Sequence, residues 1–183
     1  MAYNMKDVFY LDTALDTGTS TGNGVASLDL SSYVDPISRG RAKGTGLAIY
    51  KVHFDICDDD GNSPVAAAAT GQFRAGLMSL SGLASGAVGA VTLTANNLNA
   101  SSDLMIAGID FVAGGTAAGD PAPYTFLEPS IEVPYVVVRD QVVLILDVIT
   151  AMSAGASVKV RLECAQVTLD QSTLNQLLRT QTV

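Results

Sequence analysis

A chain of 183 residues with eighteen acidic and ten basic side chains has a formal charge of −8 and an isoelectric point near 4.3. That balance disfavours a sequence-independent grip on nucleic-acid phosphates, so nucleic acid is not expected as a direct partner. Hydrophobic residues make up 48% and charged residues only 15%, which excludes disorder and leaves a surface built largely from Ser, Thr, Gly, Ala and Asn, folded as one domain over residues 1–183.

Near the amino end, Val8–Leu11 is a short β-prone run, and Thr13–Gly24, rich in Thr, Gly, Ser and Asn, reads as a loop. The first seven residues lack both a basic start and an apolar core, so no signal peptide is expected and the chain reads as soluble, made in the cytosol or exported by other means. Val25–Leu30 alternates Ala26, Leu28 and Leu30 against Ser27 and Asp29, and the following Asp35-Pro36 pair closes that strand. Arg39, Arg41 and Lys43 then fall in a glycine-punctuated loop. It fails the P-loop template because no Gly-Lys-Ser/Thr follows and the next element is a strand, so it is read as a solvated or intersubunit basic loop.

That next strand, Gly46–Cys57, has the clearest two-residue period in the chain, with Tyr50, Val52, Phe54 and Ile56 on one side and Lys51, His53 and Asp55 on the other. The acidic turn Asp58-Asp59-Asp60-Gly61-Asn62 ends it. Further strands are expected at Val65–Thr70, Gln72–Leu80, Val91–Ala95 and Leu104–Val112, with small flexible residues over 81–90 and a turn over Asn96–Ser102. Residues 113–123 cannot form a core and make a surface excursion.

Tyr124–Leu127 and Ile131–Val138 lead into Gln141–Thr150, whose centre Val142–Leu146 is apolar at every position and should be buried on both faces. The apolar region from Ile131 to Met152 is broken by Glu132, Pro134, Arg139, Asp140 and Asp147, so it does not read as a bilayer-spanning helix. Gly155–Leu169 alternates again, with Val158, Val160, Leu162 and Cys164 inward. Val167 and Leu169 fall on the opposite parity, so a bulge is expected near Ala165 and Gln166, with a change of sheet face as its rival. The carboxyl end, Asp170–Arg179, is the one convincing helix: Asp170 or Ser172 can cap it, and Leu174, Leu177 and Leu178 form an apolar stripe that either covers an edge of this domain or docks on a neighbouring copy.

Short strands separated by Gly, Pro, Asn and Asp turns predict an all-β antiparallel β-sandwich of the jelly-roll type with a short C-terminal helix. An immunoglobulin-like sandwich comes second, since without tryptophan the Cys–Trp–Cys hallmark is missing. Cys57 and Cys164 fall inside predicted strands and read as buried free thiols, a disulfide requiring adjacent strands.

Candidate chemistry is thin. His53 is the sole histidine, and its row with Lys51 and Asp55 is most simply a polar sheet face, so no enzyme and no cofactor are expected. Asp58, Asp60 and Asn62 could offer oxygen ligands to calcium, but anchoring the EF-hand pattern on Gly61 places Ile56 and Ala67 at ligand positions; an acidic hairpin turn explains the cluster without a metal.

Taken together, the size, the β-rich pattern, the Gly/Ala/Ser/Thr-rich loops, the acidic balance and the short helix after the last strand resemble the single jelly-roll major capsid proteins of tailless icosahedral viruses with an internal membrane. The resemblance implies a virion coat subunit whose partners are copies of itself, alone or with a second coat protein, apposed to the internal membrane without insertion. It carries no functional residue over. The interface candidates are Arg39, Arg41 and Lys43, the 113–123 loop, and Leu174, Leu177 and Leu178. The alternative is a non-enzymatic jelly-roll binding module for carbohydrate or calcium.

Overall fold

The computed structural model describes residues 7–35, 43–61, 63–66, 68–79, 98–114 and 122–181. In chain order the elements are β1 (Phe9–Asp16), β2 (Gly22–Asp29), β3 (Lys43–Asp58), β4 (Thr70–Met78), β5 (Met105–Gly114), β6 (Ala122–Leu127), β7 (Tyr135–Val137), β8 (Gln141–Thr150), β9 (Ala156–Asp170) and the helix α1 (Gln171–Thr180).

The strands form two antiparallel sheets: sheet A in the order β1-β9-β3-β7, and sheet B in the order β2-β8-β4-β5-β6. The pairing is nested. β1 pairs with β9, β2 with β8, β3 with β7 and β4 with β5, so partners are taken from the two ends of the chain inward. Rolling that long ribbon brings β9 beside β3 and β8 beside β4, which is the jelly roll, with β6 added as an edge strand.

Between the sheets lies one apolar core in which Phe73 stacks on Phe111 at a ring separation of 5.0 Å, with Leu47, Ile49, Leu77, Leu144, Leu146 and Leu162 packed around them. Leu144, Leu146 and Val148 of β8 face this core. Its neighbours Val143 and Ile145 face away from it, yet are equally buried, under a second apolar cluster with Met78, Leu98 and Met105. That cover is possible because Gly76 and Gly108 sit opposite each other in β4 and β5 and leave a flat floor. A Cβ on Gly76 would lie 2.6 Å from Met105 Cε, and one on Gly108 would overlap the Phe126 ring.

Arg74 pins this cover down. Its guanidinium makes paired bonds of 2.6 Å to both carboxylate oxygens of Asp110, donates to the Leu98 carbonyl at 3.1 Å, and lies 4.8 Å from the centre of the Phe126 ring. The bond to Asp110 raises the Arg74 pKa above its ordinary value. Both side chains retain about a quarter to a third of their exposure (31% and 26%), so solvent screening reduces the value of the pair. Asp110→Asn is expected to cost about 1 kcal/mol in urea unfolding, the measure of one charge-assisted bond at such a site.

Several boundaries differ from the sequence reading. The Thr13–Gly24 loop is mostly strand: β1 runs on to Asp16 with Leu11, Thr13 and Leu15 half-buried, and only residues 17–21 form the connection. The Val65–Thr70 strand is not formed at its described positions before Thr70, and Ile131–Val138 shrinks to β7, because Ser130 and Val133 close a turn through Val133 N to Ser130 Oγ at 3.1 Å. Val91–Ala95 lies outside the described residues.

The expected bulge in β9 is absent. The irregularity sits instead in β3, where Ile49 pairs with Cys164 and Lys51 with Glu163, leaving Tyr50 as the extra residue. Tyr50 therefore leaves the inward row and joins Ala48 and Ala165, with Val167 beside them, in a small outer cluster. The rival reading, a change of face for Val167, is the one that holds.

Cys57 and Cys164 are buried and free. Although β3 and β9 are adjacent, Cys57 pairs with Ser157 and Cys164 with Ile49, which places the thiols far apart along the ladder. Burial pushes the Cys164 thiol up to about 12. A thiol-specific reagent at pH 8 is expected to leave both cysteines unmodified in the native protein and to label both after denaturation.

Candidate functional site

The outer face of sheet A carries a dense set of charges. Cross-strand register sets Asp12, Arg161 and His53 in one row, Tyr10, Glu163 and Lys51 in the next, and Ala14, Lys159 and Asp55 in a third. His53 Nε2 lies 2.7 Å from Glu163 Oε1, and the Arg161 guanidinium sits over Tyr10 at 5.9 Å. Apart from Lys51, these side chains line an open depression of about 700 Å³. Alternating signs across neighbouring strands satisfy one another, as cross-strand pairs on a solvated face do. The residues lining the depression include no Ser or Cys that could act as a nucleophile for His53.

Asp58 opens the acidic turn. Its carbonyl accepts from Gly61 N at 2.8 Å, its Oδ1 accepts from Ser63 N at 3.3 Å, and Gly61 takes the left-handed conformation at φ 74°. The Lys159 ammonium donates to the Gly61 carbonyl. Asp60 is exposed on the turn and Asn62 lies outside the described residues. Among the described residues, no group of three or more His, Cys, Asp or Glu side chains converges as metal ligands would.

Of the basic loop, Arg39 and Arg41 lie outside the described residues. Lys43 is exposed at the start of β3, paired in register with Asp170. Of the 113–123 excursion, residues 115–121 also lie outside them, and its described ends are strand: Ala113 and Gly114 close β5, with Ala113 buried in the core, and Ala122 and Pro123 open β6.

The helix stripe is divided. Leu174 is fully buried against Gly44, where a Cβ would come within 2.7 Å of Leu174 Cδ2, whereas Leu177 and Leu178 are half-buried. Asp170 caps the helix, accepting from Thr173 N at 2.7 Å, and this bond holds its carboxyl below the usual range. At the other end the buried Gln181 accepts from Val138 N at 3.1 Å and Ser79 Oγ at 3.2 Å, and donates to Val136 O at 2.6 Å. Arg139 donates to the carbonyls of Leu178 and Gln181, both at 3.1 Å. The helix thus covers its own sandwich.

Sequence reasoning missed the exposed apolar side chains: Val133 (75% exposed), Tyr124 (61%), Ile131 (60%), Tyr10 (58%), Ile149 (48%) and Val112 (40%). Val112 and Tyr124 face outward from the neighbouring strands β5 and β6, and Ile131 and Val133 sit on the turn joining sheet B to sheet A. Only the signal of parity could have found the strand members, once the strands' inward rows were known. No helix among the described residues is long and apolar enough to cross a membrane. A scan against protein-family models finds no match, and a search of curated proteins finds none either.

Proposed function

We propose that this chain is a shell-building subunit, a viral coat protein that associates with copies of itself into capsomers. One observation carries the reading: large apolar side chains, led by Val133, Tyr124 and Ile131, stand exposed on separate sides of a jelly roll rather than lining one enclosed cleft. Apolar area distributed in this way suits several modest interfaces that symmetry adds together. The acidic, weakly charged surface agrees with contacts to sister chains rather than to nucleic-acid phosphates. A second reading, a carbohydrate- or calcium-binding module, is favoured by the sheet A depression, where Tyr10 stands among charged groups.

The test is the mass of the purified protein in solution, followed by electron microscopy. Assemblies of many subunits, weakened by Val133→Asp or Tyr124→Asp, are expected. A species that stays at 18.9 kDa across a wide concentration range, with a melting temperature that rises on adding calcium or a glycan, would establish the second reading instead.

A further inference from the structure

The charged outer face of sheet A is a grid three strands wide and three rows long. Its middle row is Asp12, Arg161 and His53, flanked on one side by Tyr10, Glu163 and Lys51 and on the other by Ala14, Lys159 and Asp55. Adjacent strands lie about 4.8 Å apart and same-face residues about 6.8 Å along them, so register alone fixes where each charge stands. Three acids balance three bases on this grid, and a face without net charge draws neither a polycation nor a polyanion. Among the described residues, only His53 and Glu163 close an ion pair within it. Lys51 and Asp55 on β3, and Asp12 and Arg161 across the sheet, are exposed and able to reach a partner.

The grid is complementary to itself. Turning a second copy face to face about a two-fold axis along the middle row leaves each strand opposite its own image and exchanges the two outer rows. Lys51 then faces Asp55 of the other copy, Glu163 faces Lys159, and Tyr10 faces Ala14, each contact being made twice as an isologous interface requires. The Arg161 guanidinium, 5.9 Å from the centre of the Tyr10 ring, lies to one side of the axis and its image to the other, which keeps the two cations apart. Stacked sheets lie about 10 Å apart, a gap that a lysine and a carboxylate close between them, and a stacking twist of about 30° displaces the outer rows by only about 4 Å. The other axis in the plane, along β9, would set Glu163 on Glu163 and Lys159 on Lys159, and would bring both copies of α1 to the same end.

We propose that the outer face of sheet A pairs with the same face of a second copy about the middle-row axis, with Lys51 against Asp55 as its principal charge contact and Tyr10 set over Ala14 in the depression. The grid measures about 14 Å by 20 Å, too little to hold a permanent dimer unaided, so the contact is weak alone and gains strength where other interfaces repeat it. It goes beyond the shell-building reading, which rests on Val133, Tyr124 and Ile131, and can hold or fail without it.

The test uses two full-length chains, one carrying Lys51→Glu and the other Asp55→Lys, each followed by sedimentation alone and after mixing in equal amounts. Both positions are exposed, so neither reversal reaches the core. Alone, each chain sets like charges opposite one another twice, and its self-association should weaken roughly tenfold against the wild type. Mixed, the new carboxylate at position 51 meets the new ammonium at position 55, and the untouched Asp55 of the first chain meets the untouched Lys51 of the second. Association should then return to near the wild-type level, which only direct contact between these two positions predicts. A mixture that associates no better than the separate chains would overturn the pairing, and particles from those chains in the microscope would leave the shell reading standing. Recovery that stops at two subunits would keep the pairing and overturn the shell. A wild-type chain that stays at 18.9 kDa at every concentration would remove both.

Discussion

Replacing Gln181 with leucine is expected to lower the stability of the fold by about 3 kcal/mol, because each buried polar group left without a partner costs about 1–3 kcal/mol. Two such groups rely on this amide, the Val138 N–H and the Val136 carbonyl, and the Ser79 hydroxyl, which also bonds to Tyr135, loses one of its partners. The orientation of the amide is fixed by its neighbours, since Val138 N can only donate and Val136 O can only accept. Leucine matches the volume and supplies neither function. Gln181→Glu separates hydrogen bonding from shape. It keeps the acceptors but turns a carboxylate toward the Val136 carbonyl in a site that is 3% exposed, so its folded pKa must rise above the ordinary carboxyl value. A raised carboxyl pKa means that the variant's deficit is small at low pH and grows as pH rises through that folded value. Urea midpoints of the wild type, Gln181→Leu and Gln181→Glu between pH 4 and 8 check both statements. A Glu variant with a pH-independent deficit would contradict the buried latch.

This latch changes what removal of the helix should do. Read from sequence, the Leu174, Leu177 and Leu178 stripe could equally face a neighbour, and cutting after Leu169 would then spare folding and stop assembly. With Leu174 seated on Gly44 and Gln181 bound to Val138, Val136 and Ser79, the same cut uncovers the domain's own interior and is expected to destabilise it first. Nothing in the helix sequence marks Gln181, because its partners come from the residue after β4, from β7 and from the link after β7.

The elements that were legible are those whose pattern is local. β8 runs over Gln141–Thr150 as an unbroken apolar stretch, β9 follows an alternation ending in a capping aspartate, and α1 has its cap and stripe within ten residues. The second half of β1, Thr13–Asp16, was hidden because it stands before a run of turn-forming types, and composition outweighed parity there. The bulge shows a different limit. The parity slip at Val167 signals a rearrangement, but one strand's sequence cannot say whether the extra residue lies in it or in its partner, and here it is Tyr50 of β3. The rows joining Asp12, Arg161 and His53, and the pairing of β3 with a β7 of only three residues, depend on register between distant segments. The candidate surfaces were therefore less legible than the fold.

Ile145→Ala should cost as much as Leu144→Ala, about 3 kcal/mol each, the middle of the range for removing a fully buried aliphatic side chain. In a sheet with one solvated face such neighbours behave oppositely, because successive side chains point to opposite sides. Here Leu144 is 0% exposed in the core between the sheets and Ile145 is 1% exposed in the outer cluster with Met78, Leu98 and Met105. The cost at Ile145 depends on the cover laid over the glycine floor and clamped by Arg74. Loosening that clamp with Asp110→Asn should make Ile145→Ala less costly, while leaving the cost of Leu144→Ala unchanged. A double-mutant cycle in urea measures this: coupling of 0.5 kcal/mol or more between positions 110 and 145, and none between 110 and 144, is the size expected for residues sharing one packed cluster. If Ile145→Ala proved nearly neutral, the outer face of sheet B would be open in solution, and the apolar surface available to a neighbouring subunit would include Val143 and Ile145 as well as Val112 and Tyr124.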